Sequence, residues 1–270
     1  MTRLLTASLL IPAAWYLCKK APFPLFLAAL AAVVGLAAWE ALGLFETRGA
    51  KPFRWGGTIA SLAFVWAYAG LSPRLDPIDV LVALFLVIPV GAMVARAGAE
   101  AMLDAITGTI VPVALVGVGL AHCAALRAVP GENGSDLLML AMVCATLSDT
   151  GAYYLGSAFG KHPLAPSISP KKTWEGVLGG WAASLFGAGL AHFWFFQRLS
   201  IVHAAVLGTL LCAAGIAGDL AESLLKRAAG AKDSSSLLPG HGGVLDRVDS
   251  LMVAAPVLYY YWRAFLVGVI

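Results

Sequence analysis

Charged residues are scarce in this chain. Lysine and arginine number 18 and aspartate and glutamate 15 in 270 residues, so 12% of the residues are charged, against roughly 25% in soluble domains. Hydrophobic residues make up 60% of the chain, and its mean hydropathy is +0.84. These values exclude an ordinary soluble protein and predict an integral membrane protein. The formal net charge of +3 does not indicate a nucleic-acid partner.

Cysteine is also scarce, and several catalytic motifs are absent. The 4 cysteines each stand alone in an apolar run without a CxxC pair, which indicates neither a zinc site nor a disulfide framework. The chain has no Walker loop, no GxSxG and no HExxH sequence. It therefore lacks the motifs of P-loop nucleotide hydrolases, serine esterases and zinc peptidases.

Long apolar runs make up most of the chain. A membrane-spanning helix needs about 20 apolar residues. Runs of roughly this length cover residues 3–18, 22–46, 54–71, 78–97, 105–128, 136–160, 174–197, 200–217 or as far as 228, and 248–269. The sequence therefore predicts an all-α, polytopic membrane bundle with about nine transmembrane helices. We expect a single membrane domain over 1–270, with 1–130 mainly as scaffold and 136–270 carrying the catalytic site.

The distribution of lysine and arginine predicts the orientation of the chain. With nine helices, one side of the membrane receives 12 of the 18 cations and the other side receives 6. Loops rich in lysine and arginine face the cytoplasm. We therefore expect a multi-pass protein of the cell inner membrane, with the polar loops 160–176 and 229–243 in the cytoplasm.

Polar residues concentrate in the stretch 218–250. On a helix, Asp219, Ser223 and Lys226 share one face. Asp219 follows an apolar run, and a carboxylate near the membrane interior is unfavourable unless it faces a cavity, a cation or a metal. The alternative for Asp219 is an ion pair with Lys226 or Arg227 of its own helix.

A second pair of carboxylates lies at the start of the last predicted helix. Asp246 and Asp249 are three residues apart, so both can point the same way. Acidic residues in a first turn also serve as ordinary partners of the helix dipole. Gly242 and Gly243 precede them, and glycine-rich backbone can approach a phosphate closely. Together these features predict a site for Mg²⁺ bridging phosphate oxygens.

Basic residues accompany these carboxylates. They are Lys226, Arg227, Lys232 and Arg247 in the same stretch, and Lys171 and Lys172 in the loop 160–176. Such residues can neutralise a polyphosphate or a lipid phosphate. Positive-inside topology and attraction to anionic headgroups explain most cytoplasmic cations equally well.

Two further polar residues keep more than one interpretation. His241 is a base, a hydrogen-bond donor to phosphate or a residue that only makes hydrogen bonds within its loop. Asp149 lies in an apolar setting and is either a ligand of a second metal site or a partner in a helix-packing hydrogen bond.

The order of these residues resembles a known family. The blocks are Ser223-Leu-Leu-Lys226-Arg227, Lys232-Asp233, Pro239-Gly-His241-Gly242-Gly243 and Asp246-Arg247-Val-Asp249. They are similar to the signature of the phosphatidate cytidylyltransferases, also called CDP-diacylglycerol synthases. Further similarities are Asp149-Thr-Gly-Ala-Tyr, Ser169-Pro-Lys-Lys172-Thr173-Trp174-Glu175-Gly176 and, more weakly, Arg3 and Trp39-Glu40.

The resemblance implies a nucleotidyltransferase of phospholipid biosynthesis. The reaction would convert CTP and phosphatidate to CDP-diacylglycerol and pyrophosphate with Mg²⁺. The implied catalytic residues are Asp219, Asp246, Lys226, Arg227 and His241. The implied substrate-binding residues are Lys171, Lys172, Thr173, Ser223, Lys232, Gly242, Gly243 and Arg247. The implied metal ligands are Asp219 and Asp246, with Asp249 nearby and Asp149 as a further candidate.

Other classes of membrane protein remain as alternatives. A polytopic, ion-coupled transporter would also place carboxylates in the membrane, but it predicts an inverted repeat that the sequence does not show. A prenyltransferase or a CDP-alcohol phosphotransferase would need paired Asp-rich motifs at other spacings. By analogy we expect a homodimer formed through the helices, and no nucleic-acid partner.

Overall fold

The described part of the chain is helical. The computed structural model describes residues 12–96, 98–231, 233–235 and 242–269. The helices are 12–19 (α1), Phe23–Thr47 (α2), Arg54–Tyr68 (α3), Pro77–Ala95 (α4), Ala99–Pro112 (α5), Gly119–Arg127 (α6), Asn133–Phe159 (α7), Trp174–Trp194 (α8), Ile201–Ala228 (α9), Leu245–Val248 (α10) and Leu251–Tyr261 (α11). A π-helical segment, Val113–Val118, joins α5 to α6, and another, Trp262–Leu266, extends α11. The predicted helical class is confirmed.

Five helices among the described residues are long and apolar enough to cross a membrane. They are Phe23–Thr47, Pro77–Ala95, Ala99–Arg127, Asn133–Phe159 and Ile201–Ala228. Their bounds follow the predicted apolar runs closely, because hydropathy over about 20 residues decides whether a segment can span a bilayer. The membrane class is confirmed, whereas the number of nine spans stays a prediction.

A β-hairpin forms where the sequence analysis expects an irregular loop. Strands β1 (Pro163–Ala165) and β2 (Ser169–Thr173) pair antiparallel between α7 and α8. Strands this short carry too little alternation for their pairing to be read from the sequence. The hairpin matters because β2 contains Lys171, Lys172 and Thr173.

The chain folds into two compact units. The first contains the described residues up to Ala128 and those of Leu225–Val248. In this unit α2 and α3 pack on each other and on the continuous helix Ala99–Arg127. Its core includes Leu42, Phe64 and Leu120, each almost fully buried.

The second unit contains Val129–Leu224 and the described residues from Asp249 onwards. Its central feature is the close pairing of α7 with α8. A Cβ atom added to Gly179 would lie 2.6 Å from the carbonyl oxygen of Gly151, so the two backbones touch at this point. Small residues permit such close approach between membrane helices. The pairing also brings Ser148, the neighbour of Asp149 on α7, against Gly180 of α8.

Candidate active site

Three carboxylates of the second unit converge on one place. Asp219 and Glu222 lie three residues apart on α9, and Asp249 lies in the turn between α10 and α11. One oxygen from each side chain lies within 4.8 Å of the others. Glu222 is only 1% exposed. Oxygen atoms grouped in this way suit a hard divalent cation, which takes carboxylate ligands.

The backbone around Gly218 allows this convergence. A Cβ atom at Gly218 would collide with the carbonyl oxygen of Asp249, so only glycine lets the turn lie directly against α9. The amide of Ser250 donates a hydrogen bond of 2.7 Å to Oδ1 of Asp249, which orients that carboxylate. A substitution at Gly218 would therefore displace Asp249 from the two carboxylates on α9.

A lysine from the hairpin completes the group. Nζ of Lys172 lies 2.6 Å from Oδ2 of Asp219, and the hydroxyl of Ser223 donates to Oδ1 of Asp219 over 3.3 Å. Asp219 does have an ion-pair partner, as the alternative interpretation required, but among the described residues the contacting cation comes from β2 rather than from its own helix. The tertiary fold decides which cation pairs with Asp219, because a helix by itself brings only residues three or four positions apart into contact.

Asp249 lies in an environment that favours its protonated form. Burial, and after it the negative charge of Asp219, raises the pKa of the Asp249 carboxyl from 3.8 to about 7. Desolvation and a like charge both disfavour an ionised carboxylate. A carboxylate with this pKa would ionise more readily if a divalent cation were bound beside it.

A cavity of about 250 Å³ opens beside this group. Its polar lining includes Asp149, Lys171, Lys172 and Asp219, and its apolar lining includes Leu164, Val177 and Ile216. The hydroxyl of Ser250 donates a hydrogen bond of 3.4 Å to Oδ2 of Asp149, which matches the helix-packing interpretation of that residue. The cavity thus offers cations, carboxylates and an apolar wall together.

The hairpin that carries the two lysines is fastened to α8. The side chain of Thr173 accepts a hydrogen bond of 3.1 Å from the amide of Gly176 and so caps the first turn of α8. The carboxylate of Glu175 accepts hydrogen bonds from the amides of Lys161 and His162, at 3.1 and 3.2 Å. Lys172 is therefore presented from a braced strand. Thr173 lines the cavity as well, so capping does not remove it as a substrate-binding candidate.

Asp246 lies in the first unit and makes a different set of contacts. Its Oδ1 lies 2.7 Å from Nζ of Lys226, and its Oδ2 accepts hydrogen bonds from the amides of Gly243 and Ser234, at 2.8 and 3.2 Å. Gly242 adopts a φ of +77°, a conformation that favours glycine. These contacts make Asp246 an anchor of the loop around it, and its role as a metal ligand stays a prediction.

The comparison with known proteins decides the family. Residues 1–265 match the profile of the Cytidylyltransferase family. The chain belongs to the Cytidylyltransferase family. This membership confirms the resemblance read from the signature blocks between Ser223 and Asp249.

Several curated relatives of this cytidylyltransferase-family chain carry the name phosphatidate cytidylyltransferase. The protein from Haemophilus influenzae is 43% identical over 134 residues, which is 48% of this chain and 46% of that protein. The Pseudomonas aeruginosa protein is 47% identical over 133 residues, covering 49% and 48%. The Staphylococcus haemolyticus protein is 42% identical over 146 residues, covering 54% and 55%. The matched part spans about half the length of these relatives.

The structure brings together some, but not all, of the predicted site residues of this family member. Asp219, Asp249 and Lys172 meet in the second unit, whereas Lys226 and Asp246 meet in the first. Among the described site residues, those classed as exposed are Asp149, Lys171, Arg227 and Arg247. Lys232 and His241 lie outside the described residues, and their predicted roles stay predictions.

Two carboxylates were missed by the sequence analysis. Glu222 has no role in the sequence analysis, although its spacing of three from Asp219 is a signal for a shared helix face. Glu40 was noted only as part of a weak family similarity. Its signal was its position inside the apolar run 22–46, where an ionisable residue marks a function or a specific partner.

Proposed function

We propose that this chain transfers the cytidylyl group of CTP to phosphatidate, giving CDP-diacylglycerol and pyrophosphate for phospholipid biosynthesis. The names of its curated relatives support this reaction. The observation that carries the proposal is the group Asp219, Glu222 and Asp249, with Lys172 in contact and a partly apolar cavity beside it. A lipid phosphate and a nucleotide triphosphate both need cations, and the acyl chains need an apolar surface.

We propose Mg²⁺ as the cofactor, held by Asp219, Glu222 and Asp249. The residues fit this ion because Mg²⁺ binds carboxylate oxygens and substrate phosphates together. When bound, the ion supplies Lewis-acid stabilisation of the negative charge on phosphate oxygens. Asp149 and Asp246 remain as further proposed ligands, and neither belongs to the converging group of three.

The protein's own residues have defined parts in the proposed reaction. Lys171 and Lys172 bind the phosphates of the substrates, and the apolar wall that includes Val177 receives the start of the acyl chains. A phosphate oxygen of phosphatidate attacks the α-phosphorus of CTP, a new P–O bond forms, and pyrophosphate leaves with the electron pair of the broken bond. The attacking phosphate is already an anion, so the step needs no strong general base.

The location in the cell is part of the proposal. The five apolar helices support a membrane-embedded protein, and the excess of cations in alternate loops supports an active site that faces the cytoplasm. CTP is a cytoplasmic nucleotide, so this orientation would give it access. A tag placed within 160–176 that reacts with membrane-impermeant reagent in intact cells would contradict the proposed orientation.

A direct assay tests the reaction. The full chain, purified in detergent, is incubated with labelled CTP, phosphatidate and Mg²⁺, with and without a chelator. We expect labelled CDP-diacylglycerol and pyrophosphate in equal amounts, and loss of both products with the chelator. Asp104→Asn changes an exposed carboxylate outside the proposed site and should retain wild-type activity. Absence of lipid product from well-folded protein would refute the proposed function, and ion-driven uptake into vesicles would instead favour the transporter alternative.

A further inference from the structure

Glu40 is a buried carboxylate with no part in the proposed reaction. It lies on α2 and is 7% exposed, among Ala37, Ala38 and Ala41, which are fully buried. Burying a charged group among apolar residues is unfavourable unless hydrogen bonds or counter-charges satisfy it. The hydrogen bonds that satisfy the Glu40 carboxylate therefore indicate its role in the first unit.

Each oxygen of Glu40 joins two separate stretches of chain. Oε1 accepts hydrogen bonds from the hydroxyl of Ser235, at 2.6 Å, and from the amide of Val244, at 3.1 Å. Oε2 accepts from the hydroxyl of Ser234, at 3.1 Å, and from the amide of Leu245, at 2.8 Å. One side chain thus links the segment before the glycine pair with the segment after it.

The same contacts continue to the residues of the family signature. The hydroxyl of Ser234 lies 2.9 Å from Oδ2 of Asp246 as well, so it stands between two carboxylates. A Cβ atom at Gly243 would collide with the hydroxyl of Ser234 and with Oε2 of Glu40. A side chain at position 243 would have to displace the Ser234 hydroxyl and the Glu40 carboxylate, which occupy its space.

We propose that Glu40 is a positioning residue, which fixes the loop ends at 233–235 and 243–245 and thereby the orientation of Asp246. The structural part of this inference stands on the hydrogen bonds alone, and its kinetic part rests on the proposed function. Because the two amides of Val244 and Leu245 precede Asp246 directly, loss of the Glu40 carboxylate frees the backbone that aims Asp246.

The first test measures the tether without any activity. Amide hydrogen exchange is compared between the full-length wild type, Glu40→Gln and Glu46→Gln, all in detergent. Glutamine keeps the shape of Glu40 but offers one acceptor oxygen, so we expect residues 244–245 to exchange on the order of tenfold faster or more. Residues on α6 should keep their protection. Glu46→Gln is the matched control, because Glu46 lies on the same helix but pairs with Arg54. Unchanged exchange at 244–245 in Glu40→Gln overturns the proposal.

The second test separates positioning from general stability. Glu40→Gln should lower kcat of cytidylyl transfer about tenfold or more while KM for CTP changes little. The substitution disturbs the orientation of Asp246 and leaves the binding of CTP intact. Ser235→Ala removes one hydrogen bond outside any helix and should do the same more weakly. The effects of the two substitutions on kcat should be less than additive in the double variant, because both act on one contact. Strict additivity, or a change in KM alone, overturns the positioning role.

The outcomes distinguish the inference from the function beneath it. If the wild type makes no CDP-diacylglycerol but Glu40→Gln speeds exchange at 244–245, the proposed function fails and the tether stands. If the wild type is active and Glu40→Gln changes neither exchange nor kcat, the positioning role fails alone. If Glu40→Gln does not fold, Ser235→Ala supplies both readouts, and normal values in it overturn the proposal.

Discussion

Replacing Asp249 with asparagine tests whether the carboxylate group of the second unit is built for a cation. Without a cation, burial and the charge of Asp219 raise the pKa of the Asp249 carboxyl from 3.8 to about 7. The pKa of Asp249 thus differs by about three between the folded and unfolded states, which corresponds to about 4 kcal/mol in the free energy of unfolding. The ionised side chain is therefore unfavourable in the metal-free protein above neutral pH, and a bound cation would offset that cost.

The sign of the pH dependence follows from that difference. Between about pH 4 and pH 7 the folded state keeps a proton on Asp249 that the unfolded state has lost. The contribution of Asp249 to metal-free stability should be fully present below the unfolded pKa and should be lost as pH rises through the folded pKa. The apparent melting temperature in detergent with a chelator should therefore decrease from pH 5 to pH 8, and Asp249→Asn should remove most of that decrease.

Added Mg²⁺ gives the complementary readout. At pH 8 we expect Mg²⁺ to raise the melting temperature of the wild type and to raise that of Asp249→Asn much less, because binding to the folded state stabilises it by mass action. Asp104→Asn should behave like the wild type in both measurements. Equal stabilisation of Asp249→Asn and the wild type by Mg²⁺, or an unchanged pH slope in the variant, would refute a cation site at these carboxylates.

Three further substitutions have clear expected outcomes. Gly179→Ala forces a Cβ to within 2.6 Å of a carbonyl oxygen of α7 and should destabilise the folded protein by roughly 1–3 kcal/mol in a thermal assay. The Cβ of the control Gly189→Ala meets nothing within 4 Å, so this variant should be neutral or slightly stabilising in the same assay. Lys172→Met removes the cation 2.6 Å from Asp219 and should lower kcat/KM for cytidylyl transfer at least roughly tenfold without loss of fold; full activity would remove Lys172 from the site. Asp246→Asn breaks the ion pair with Lys226 and should lower stability by about 3 kcal/mol, measured as a lower melting temperature. Unchanged melting would show that this pair does not anchor the loop.

Local properties of the sequence predicted much of this protein. Low charge and apolar runs of sufficient length predicted helices and a membrane class, and the run 136–160 matches α7, Asn133–Phe159, within a few residues. The signature between Ser223 and Asp249 predicted the family. These inferences succeed because hydropathy and helical periodicity depend on neighbours in the chain, and the order of motif residues needs no knowledge of their contacts.

The partners of the charged side chains were decided by tertiary structure. The contact of Lys172 with Asp219 depends on the hairpin, and the hydrogen bonds of Glu40 to Ser234, Ser235, Val244 and Leu245 reach residues far along the chain. The grouping of Glu222 with Asp249 likewise needs the close approach permitted at Gly218. Sequence by itself determined which residues carry charge and which segments are helical. Only the folded chain determined which charges come into contact. These contacts join residues from different elements, and the distance between two residues along the sequence does not determine how close they lie in the fold.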